Sequence, residues 1–320
     1  MMRHALVLTA GLGTRLRPLT DARAKPAIPV AGEPMIRRIA SWLVSQGVDD
    51  LVLNLHHRPE TVTAVLGDGS DLGARVRYSW ELPRMLGSAG GPRLARAIVG
   101  ADPFLIVNGD TLTDVDLAPL VDAHTASSAL VTLALVPNRE FLRYGGVHMD
   151  AGGRVTGFVR RGPAAEGSYH FIGVQVAAAR AFDGVEPNAP VSSIGGVYDA
   201  LIASQPGSVR GVLSNAAFFD VGTPGDYWRT SHAFAAAAAN VSIGRAARVE
   251  PSARVMRSIL WDDVEVGAGA TLDECIVTDR VQVPAGAAHS RAILVRGENG
   301  ELLVSPLNVE YETENRKPKT

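Results

Sequence analysis

Residues 3–30 read RHALVLTAGLGTRLRPLTDARAKPAIPV. The apolar run Ala5 to Leu8 meets Gly11 and Gly13, which predicts a buried first strand followed by a tight turn. Glycines let the backbone come close to a bound group, and the successive N–H groups of such a turn form a concavity for an anion. Arg15 and Arg17 sit on the turn, and Lys25 follows in a segment stiffened by Pro26 and Pro29. A guanidinium forks two phosphate oxygens and an ammonium adds a compact charge, so the set suits a polyphosphate. The dinucleotide fingerprint fails because Leu16 stands where a third glycine belongs, and no Gly-Lys-Ser/Thr follows to make a P-loop. Taken alone, the glycines also serve tight turning, and the basic residues also make a solvated face.

Outward from this stretch the pattern is β-α-β-α-β: ALVLTA, MIRRIASWLVSQG, DLVLNL, PETVTAVLG, VRYSW. In the second segment Ile36, Ile39, Ala40, Leu43 and Val44 share one helical face, Pro34 suits the first turn and Gly47 the stop. PFLIVNGD and ALVTLALV read as buried strands either side of the helix LAPLVDAHTA, a pattern that suits a mainly parallel sheet covered on both faces. After Pro137 the turn residues Asp150 to Gly153 predict a hairpin, and SYHFIGVQV a further strand. Then come a helix at GGVYDALIAS, strands at VRGVLS and AFFDVG, and an alanine-rich helix from about Pro224 to Ala239 that reads as a domain boundary.

Beyond it the composition shifts. Aliphatic residues stand six apart at Ile243, Val249 and Val255 and again at Val266 and Leu272. That spacing, with small residues between, predicts a short parallel β-helix whose coils stack their apolar corners, with room for about two or three coils. The expected division is 1–239 for the first domain, 240–295 for the β-helix and 296–320 for a polar tail.

Composition bounds the rest. The chain has 320 residues, 46% hydrophobic and 20% charged, with a formal net charge of −2, the balance of an ordinary globular protein. No excess of positive charge suggests a nucleic-acid partner. The single cysteine, Cys275, cannot form an internal disulfide and fits a reducing compartment. No signal-peptide pattern opens the sequence, and no apolar run reaches the roughly 18 to 20 residues of a membrane span. A cytoplasmic location, no membrane partner and a possible homo-oligomer are the expectations.

Two aspartates end apolar strands: Asp110 in FLIVNGDTL and Asp220 in AFFDVGTPGDY. The carboxyl edge of an open α/β sheet is where ligands bind, and two carboxylates there can share a Mg²⁺ that also takes phosphate oxygens. Each alone also reads as a turn or capping residue. With AGLGTRLRPLTDARAKPAIPV, LGSAGGP, VNGDTL, YGGV, FIGVQV and FFDVGTPGDYW now in order, the chain resembles the sugar-1-phosphate nucleotidyltransferases over about residues 3 to 240. The repeat resembles the short left-handed β-helix that many members carry. The resemblance implies a doubly wound, Rossmann-like α/β catalytic domain ahead of that β-helix.

It also implies roles. Ala10, Gly11, Leu12, Gly13 and Thr14 would form the nucleotide loop, Arg15 would hold the β- and γ-phosphates, and Lys25 would neutralise the α-phosphate. Gly87, Ser88 and Asn108 would contact the nucleotide, Gly146 and Gly173 would line the sugar pocket, and Asp110 and Asp220 would hold Mg²⁺. The family's Glu-Lys-Pro after the hairpin is replaced by Arg160-Arg161-Gly162, which assigns the sugar-phosphate grip to Arg161, and Ala24 replaces the usual proline before Lys25. The implied reaction is in-line attack of a sugar-1-phosphate oxygen on the α-phosphorus of a nucleoside triphosphate, expelling pyrophosphate. The nucleophile is already anionic, so positioning and charge neutralisation suffice without a general base. The form GLGTRLRPLT most resembles mannose-1-phosphate guanylyltransferases, which favours GTP. A catalytically silent nucleotide-sugar sensor, or a uridylyl-, thymidylyl- or adenylyltransferase, is the alternative.

Overall fold

A computed structural model describes residues 2–235 and 241–309. By compactness the chain divides into two units, one of Met1–Leu12 with Met35–Phe219, the other of Gly13–Pro34 with Asp220–Thr320. The signature stretch is thus shared between them.

In the first unit, strands β1 (His4–Leu8), β2 (Asp50–Leu55), β3 (Arg75–Trp80) and β4 (Phe104–Asn108) form the parallel half of one sheet, in the order β3-β2-β1-β4. Helix α1 (Met35–Ser45) buries Met35, Ile36, Ile39, Ala40 and Leu43, the stripe expected from a 3.6-residue period. It stops where Gly47 takes φ +80. Helices α2 (Pro59–Leu66) and α3 (Gly87–Val99) complete the alternation. A short strand β5 (Thr111–Thr113), helix α4 (Leu117–Thr125) and strand β6 (Val131–Pro137) follow, then the hairpin β7 (Gly146–Met149) and β8 (Val155–Val159). Asp150 Oδ1 fixes its turn by accepting from the N–H groups of Gly152 and Arg154, each at 2.9 Å.

Strand β9 (Tyr169–Ala177) runs antiparallel to β4, β6 and β7 and so joins the hairpin to the parallel half. After α5 (Tyr198–Ser204), β10 (Val209–Leu213) pairs parallel with β6, and β11 (Phe218–Asp220) pairs with β5. The core between sheet and helices holds Leu6, Val52, Phe104, Ile106, Leu133 and Phe182. No helix among the described residues is long and apolar enough to cross a membrane.

In the second unit helix α6 spans Pro224–Phe234, shorter than the helix expected to reach Ala239. Ala235 is already extended, at φ −70 and ψ 144, and 236–240 lie outside the described residues. A capping box starts the helix: Thr223 accepts from the Asp226 N–H and Asp226 from the Thr223 N–H.

The repeat is a parallel β-helix with three strand ladders. Ile243 stacks on Leu260, then Val277, then Leu294; Val249 on Val266, then Val283; Val255 on Leu272. The coil is one residue short of three hexads because the corner after Val255 turns through Arg257, whose counterparts Glu274 and Arg291 share its left-handed φ of 44, 53 and 49. The three stack with alternating charge, Arg257 Nε 3.5 Å and Arg291 Nε 3.6 Å from the Glu274 carboxylate. The polar tail expected from 296 begins later. Ala292–Arg296 and Leu302–Pro306 pair antiparallel across the turn Glu298–Gly300 and close the last coil.

Candidate active site

In the first unit, Gly109 binds the end of β4 to the end of β1. Its N–H donates to Leu8 O at 2.9 Å, and a methyl group on it would lie 2.7 Å from that oxygen. Ala10, Gly11 and Leu12 therefore leave the carboxyl end of β1 beside the point where Asp110 leaves β4. A methyl group on Gly11 would meet nothing within 4 Å, so its Cα face is open to an approaching group. Under the loop lies a buried polar network that sequence reasoning missed. Thr9 N–H donates to Asn54 Oδ1 at 2.6 Å, Asn54 Nδ2 to Glu81 at 2.7 Å, and the other Glu81 oxygen accepts from Leu86 N–H at 2.6 Å. Each of these residues sits in a different apolar-flanked segment, and nothing in the local pattern marks them as partners.

Gly87 opens α3 at φ +76 with the Val191 carbonyl 2.7 Å from its would-be Cβ. Ala89 and Gly90 N–H groups both donate to Val191 O, which takes those two amides of the SAGG segment out of contention for a base. Ser88 Oγ accepts from Ser193 N–H at 2.8 Å. Asn108 ends β4 against Gly173, whose φ of +79 and missing side chain leave room for the amide; a methyl there would lie 2.7 Å from Asn108 Nδ2. Gly146 packs on the Ser168 side chain.

Arg160 and Arg161 are both exposed and lie past the end of β8 at Val159. Strand alternation therefore does not separate them. A cavity of about 400 Å³ adjoins the hairpin. Tyr144, His170 and Phe218 line it with ring centroids 4.4 to 5.4 Å apart, beside Asn138 and Asn215. Burial pushes the His170 imidazole below its ordinary pKa, and the nearby Arg143 adds to this against the Gly145 carbonyl.

In the second unit, Gly13 takes φ +62 and its carbonyl accepts from Leu16 N–H at 2.9 Å and Thr20 Oγ1 at 3.1 Å. This single turn, Thr14–Leu16, carries Arg15 on its exposed side. Lys25 opens a second short turn, Lys25–Ala27, and is only 8% exposed. A methyl on Gly13 would lie 3.3 Å from Lys25 Cβ, so the two basic turns are packed side by side. Arg15 and Asp220 both border Gly222. The would-be Cβ of the buried Gly222 lies 3.1 Å from Asp220 Oδ2, 3.2 Å from Asp226 Oδ2 and 3.5 Å from Arg15 Nη1. Sequence reasoning did not single out Asp226, although Thr-Pro-Gly-Asp is a visible helix start.

Among the described residues no cluster of three or more His, Cys, Asp or Glu side chains could hold a metal by itself. Asp110 and Asp220 each offer oxygen only, the donor type that a hard divalent cation takes alongside water and phosphate.

Comparison with known proteins accords with this layout. The model of the nucleotidyl transferase family matches residues 4–237, and that of the GlmU-like C-terminal hexapeptide matches residues 233–290. A mannose-1-phosphate guanylyltransferase of Mycobacterium tuberculosis is 31% identical over 90% of this chain and 83% of its own length. A D-glycero-alpha-D-manno-heptose 1-phosphate guanylyltransferase of Aneurinibacillus thermoaerophilus is 31% identical over 70% of this chain and 95% of its own. Among solved structures, HddC from Yersinia pseudotuberculosis has the same fold, with a TM-score of 0.63 at 22% identity over 73% of this chain and all of that one. The chain belongs to the nucleotidyl transferase family, as a sugar-1-phosphate nucleotidyltransferase carrying a left-handed hexapeptide β-helix. Both of these relatives are guanylyltransferases, one of mannose 1-phosphate and the other of a manno-heptose 1-phosphate.

Proposed function

We propose that the protein transfers a guanylyl group from GTP to mannose 1-phosphate or a closely related hexose or heptose 1-phosphate, releasing pyrophosphate, with Mg²⁺ as cofactor. The carrying observation is the packing of the Arg15 and Lys25 turns around Gly13. Two basic turns packed against one glycine, each carrying one cation, suit adjacent phosphates of one triphosphate. Arg15 binds the β- and γ-phosphates and Lys25 the α-phosphate, where charge builds as the oxygen attacks. Gly11 and Gly13 let the loop backbone approach, while Gly87, Ser88 and Asn108 place the nucleoside.

Asp110 and Asp220 hold the metal, which when bound neutralises phosphate charge and orients the triphosphate. Arg161 grips the sugar phosphate, with Gly146 and Gly173 leaving space for the sugar. The aromatic cleft of Tyr144, His170 and Phe218, with two amides at its side, offers the apolar faces and hydrogen bonds that a hexose presents in return. Guanylyl transfer and the manno sugar are supported by the two relatives at 31% identity.

The test is a panel of nucleoside triphosphates against sugar 1-phosphates read by pyrophosphate release. The expected leading pair is GTP with mannose 1-phosphate, at rates that vanish on chelation and return with Mg²⁺. A leading triphosphate other than GTP refutes the guanylyl assignment. Wild-type turnover in both Asp110→Asn and Asp220→Asn refutes the metal assignment. In Arg161→Ala the KM for the sugar phosphate should rise roughly 10- to 150-fold, the worth of one charge-assisted bond. A larger and equally selective effect in Arg160→Ala would move the grip to that neighbour.

A further inference from the structure

Arg23 lies two residues before Lys25, and its side chain is 14% exposed. Nε and Nη2 fork the Asp279 carboxylate at 2.7 and 2.6 Å, and Nη2 also reaches Asp262 at 2.8 Å. The guanidinium stands 5.4 Å from the ring centre of Trp261. Trp261 Nε1–H donates to Tyr227 Oη at 2.8 Å, and the Tyr227 hydroxyl donates to Pro29 O at 2.6 Å. Asp262 and Asp279 occupy equivalent places on successive coils, since Leu260 pairs with Val277. The basic segment is therefore tied to the β-helix on both sides of Lys25, directly at Arg23 before it and through Tyr227 of α6 at Pro29 after it.

We infer that Arg23 is a positioning residue for nucleotidyl transfer, and that the β-helix, through Asp262 and Asp279, holds Lys25 at the place the α-phosphate will occupy. This rests on the role given to Lys25 above. Against a well-packed apolar pair in its place such an ion pair gains little net stability, so what it supplies over that alternative is geometry. The fork of a guanidinium fixes direction as well as distance, which an ammonium does not. A lysine acting at a transition state is sensitive to displacement of about 1 Å. The coils are thereby part of the catalytic apparatus.

The experiment uses the full chain with Arg23→Gln, Arg23→Lys and Asp279→Asn, and Arg245→Ala as control. Arg245 reaches the same Asp262 but is 91% exposed. Circular dichroism and gel filtration establish folding; kcat and both KM values are measured; and an amine-reactive reagent, followed by peptide mass analysis, gives the labelling rate of Lys25. Arg23→Gln should lower kcat roughly 10- to 100-fold with the KM for the sugar phosphate little changed, and should speed Lys25 labelling. Arg23→Lys should recover part of both, and Arg245→Ala should match wild type. A folded Arg23→Gln with wild-type kcat and labelling overturns the inference, as does an equal loss in Arg245→Ala. If Arg23→Gln does not fold, Asp279→Asn, which leaves Asp262 in place, is held to the same two outcomes. If the wild-type chain transfers no nucleotide to any sugar phosphate, the functional reading fails; faster Lys25 labelling in Arg23→Gln then still supports the anchor, and unchanged labelling removes it.

Discussion

A methyl group on Gly13 would stand 2.7 Å from Thr20 Cγ2 and 3.3 Å from Lys25 Cβ, on a backbone at φ +62. Gly13→Ala is therefore expected to cost about 1–3 kcal/mol, the range for a non-glycine residue held left-handed, and to lower turnover by displacing Lys25. Urea denaturation and steady-state kinetics check the two parts separately. His124 presents a different residue-scale effect. It is buried against Thr132 Oγ1 at 2.9 Å, and burial, only partly opposed by Asp102, pushes its imidazole below the ordinary 6.5. The unfolded chain then binds the proton more readily, so stability is full above the unfolded value and falls as pH drops through 6.5 toward the folded one. Denaturant midpoints taken between about pH 7.5 and pH 5.5 should fall more steeply for wild type than for His124→Gln.

At the scale of elements, the coils are held by stacked aliphatic positions, and Leu272 is fully buried in that stack. Leu272→Ala should destabilise by about 2–5 kcal/mol, measured by chemical denaturation, because the fixed parallel registers on either side limit collapse around the cavity. The six-residue period is visible in the sequence because each successive face of the coil repeats the same apolar need. The short corner is not: Arg257, Glu274 and Arg291 are charged residues in left-handed backbone, and no local rule predicts that conformation for them. Similarly, the alanine run after Phe234 has high helix propensity, yet Ala235 is extended, because propensity is a weak prior against tertiary demands. The strand Leu302–Pro306 reads as tail in the sequence, since its value lies in closing the last coil against Ala292–Arg296, a non-local reward.

At the scale of the molecule, acid and ligand are the informative variables. Burial works against ionisation of Asp262, yet Arg23 and the Arg245 N–H outweigh it and hold the carboxyl below its ordinary 3.8. Its contribution is present above that value and is lost as pH falls through the lower folded one. The stability gap between wild type and Asp262→Asn should therefore close on acidification below about pH 4, as followed by Trp fluorescence. Binding of a nucleoside triphosphate with Mg²⁺ at about 100 times its Kd should add about 2.7 kcal/mol to stability. A thermal shift with GTP that survives in Lys25→Gln while kcat falls would place that lysine's effect in the transition state.

The local pattern by itself determined the alternation of strands and helices, the mainly parallel sheet, the repeat and the residues of the glycine turn, since each is written in spacings of a few residues. Tertiary structure alone decided the partners. It packed Lys25 beside Gly13, set Asp226 beside Asp220 and Arg15, and buried Glu81 under Thr9 and Asn54. It also put Gly13–Pro34 into one compact unit with the β-helix, fastened by an arginine whose carboxylates lie 239 and 256 residues away. Contacts so distant along the chain are chosen by burial, charge and shape at closure, and no window of neighbouring residues contains them.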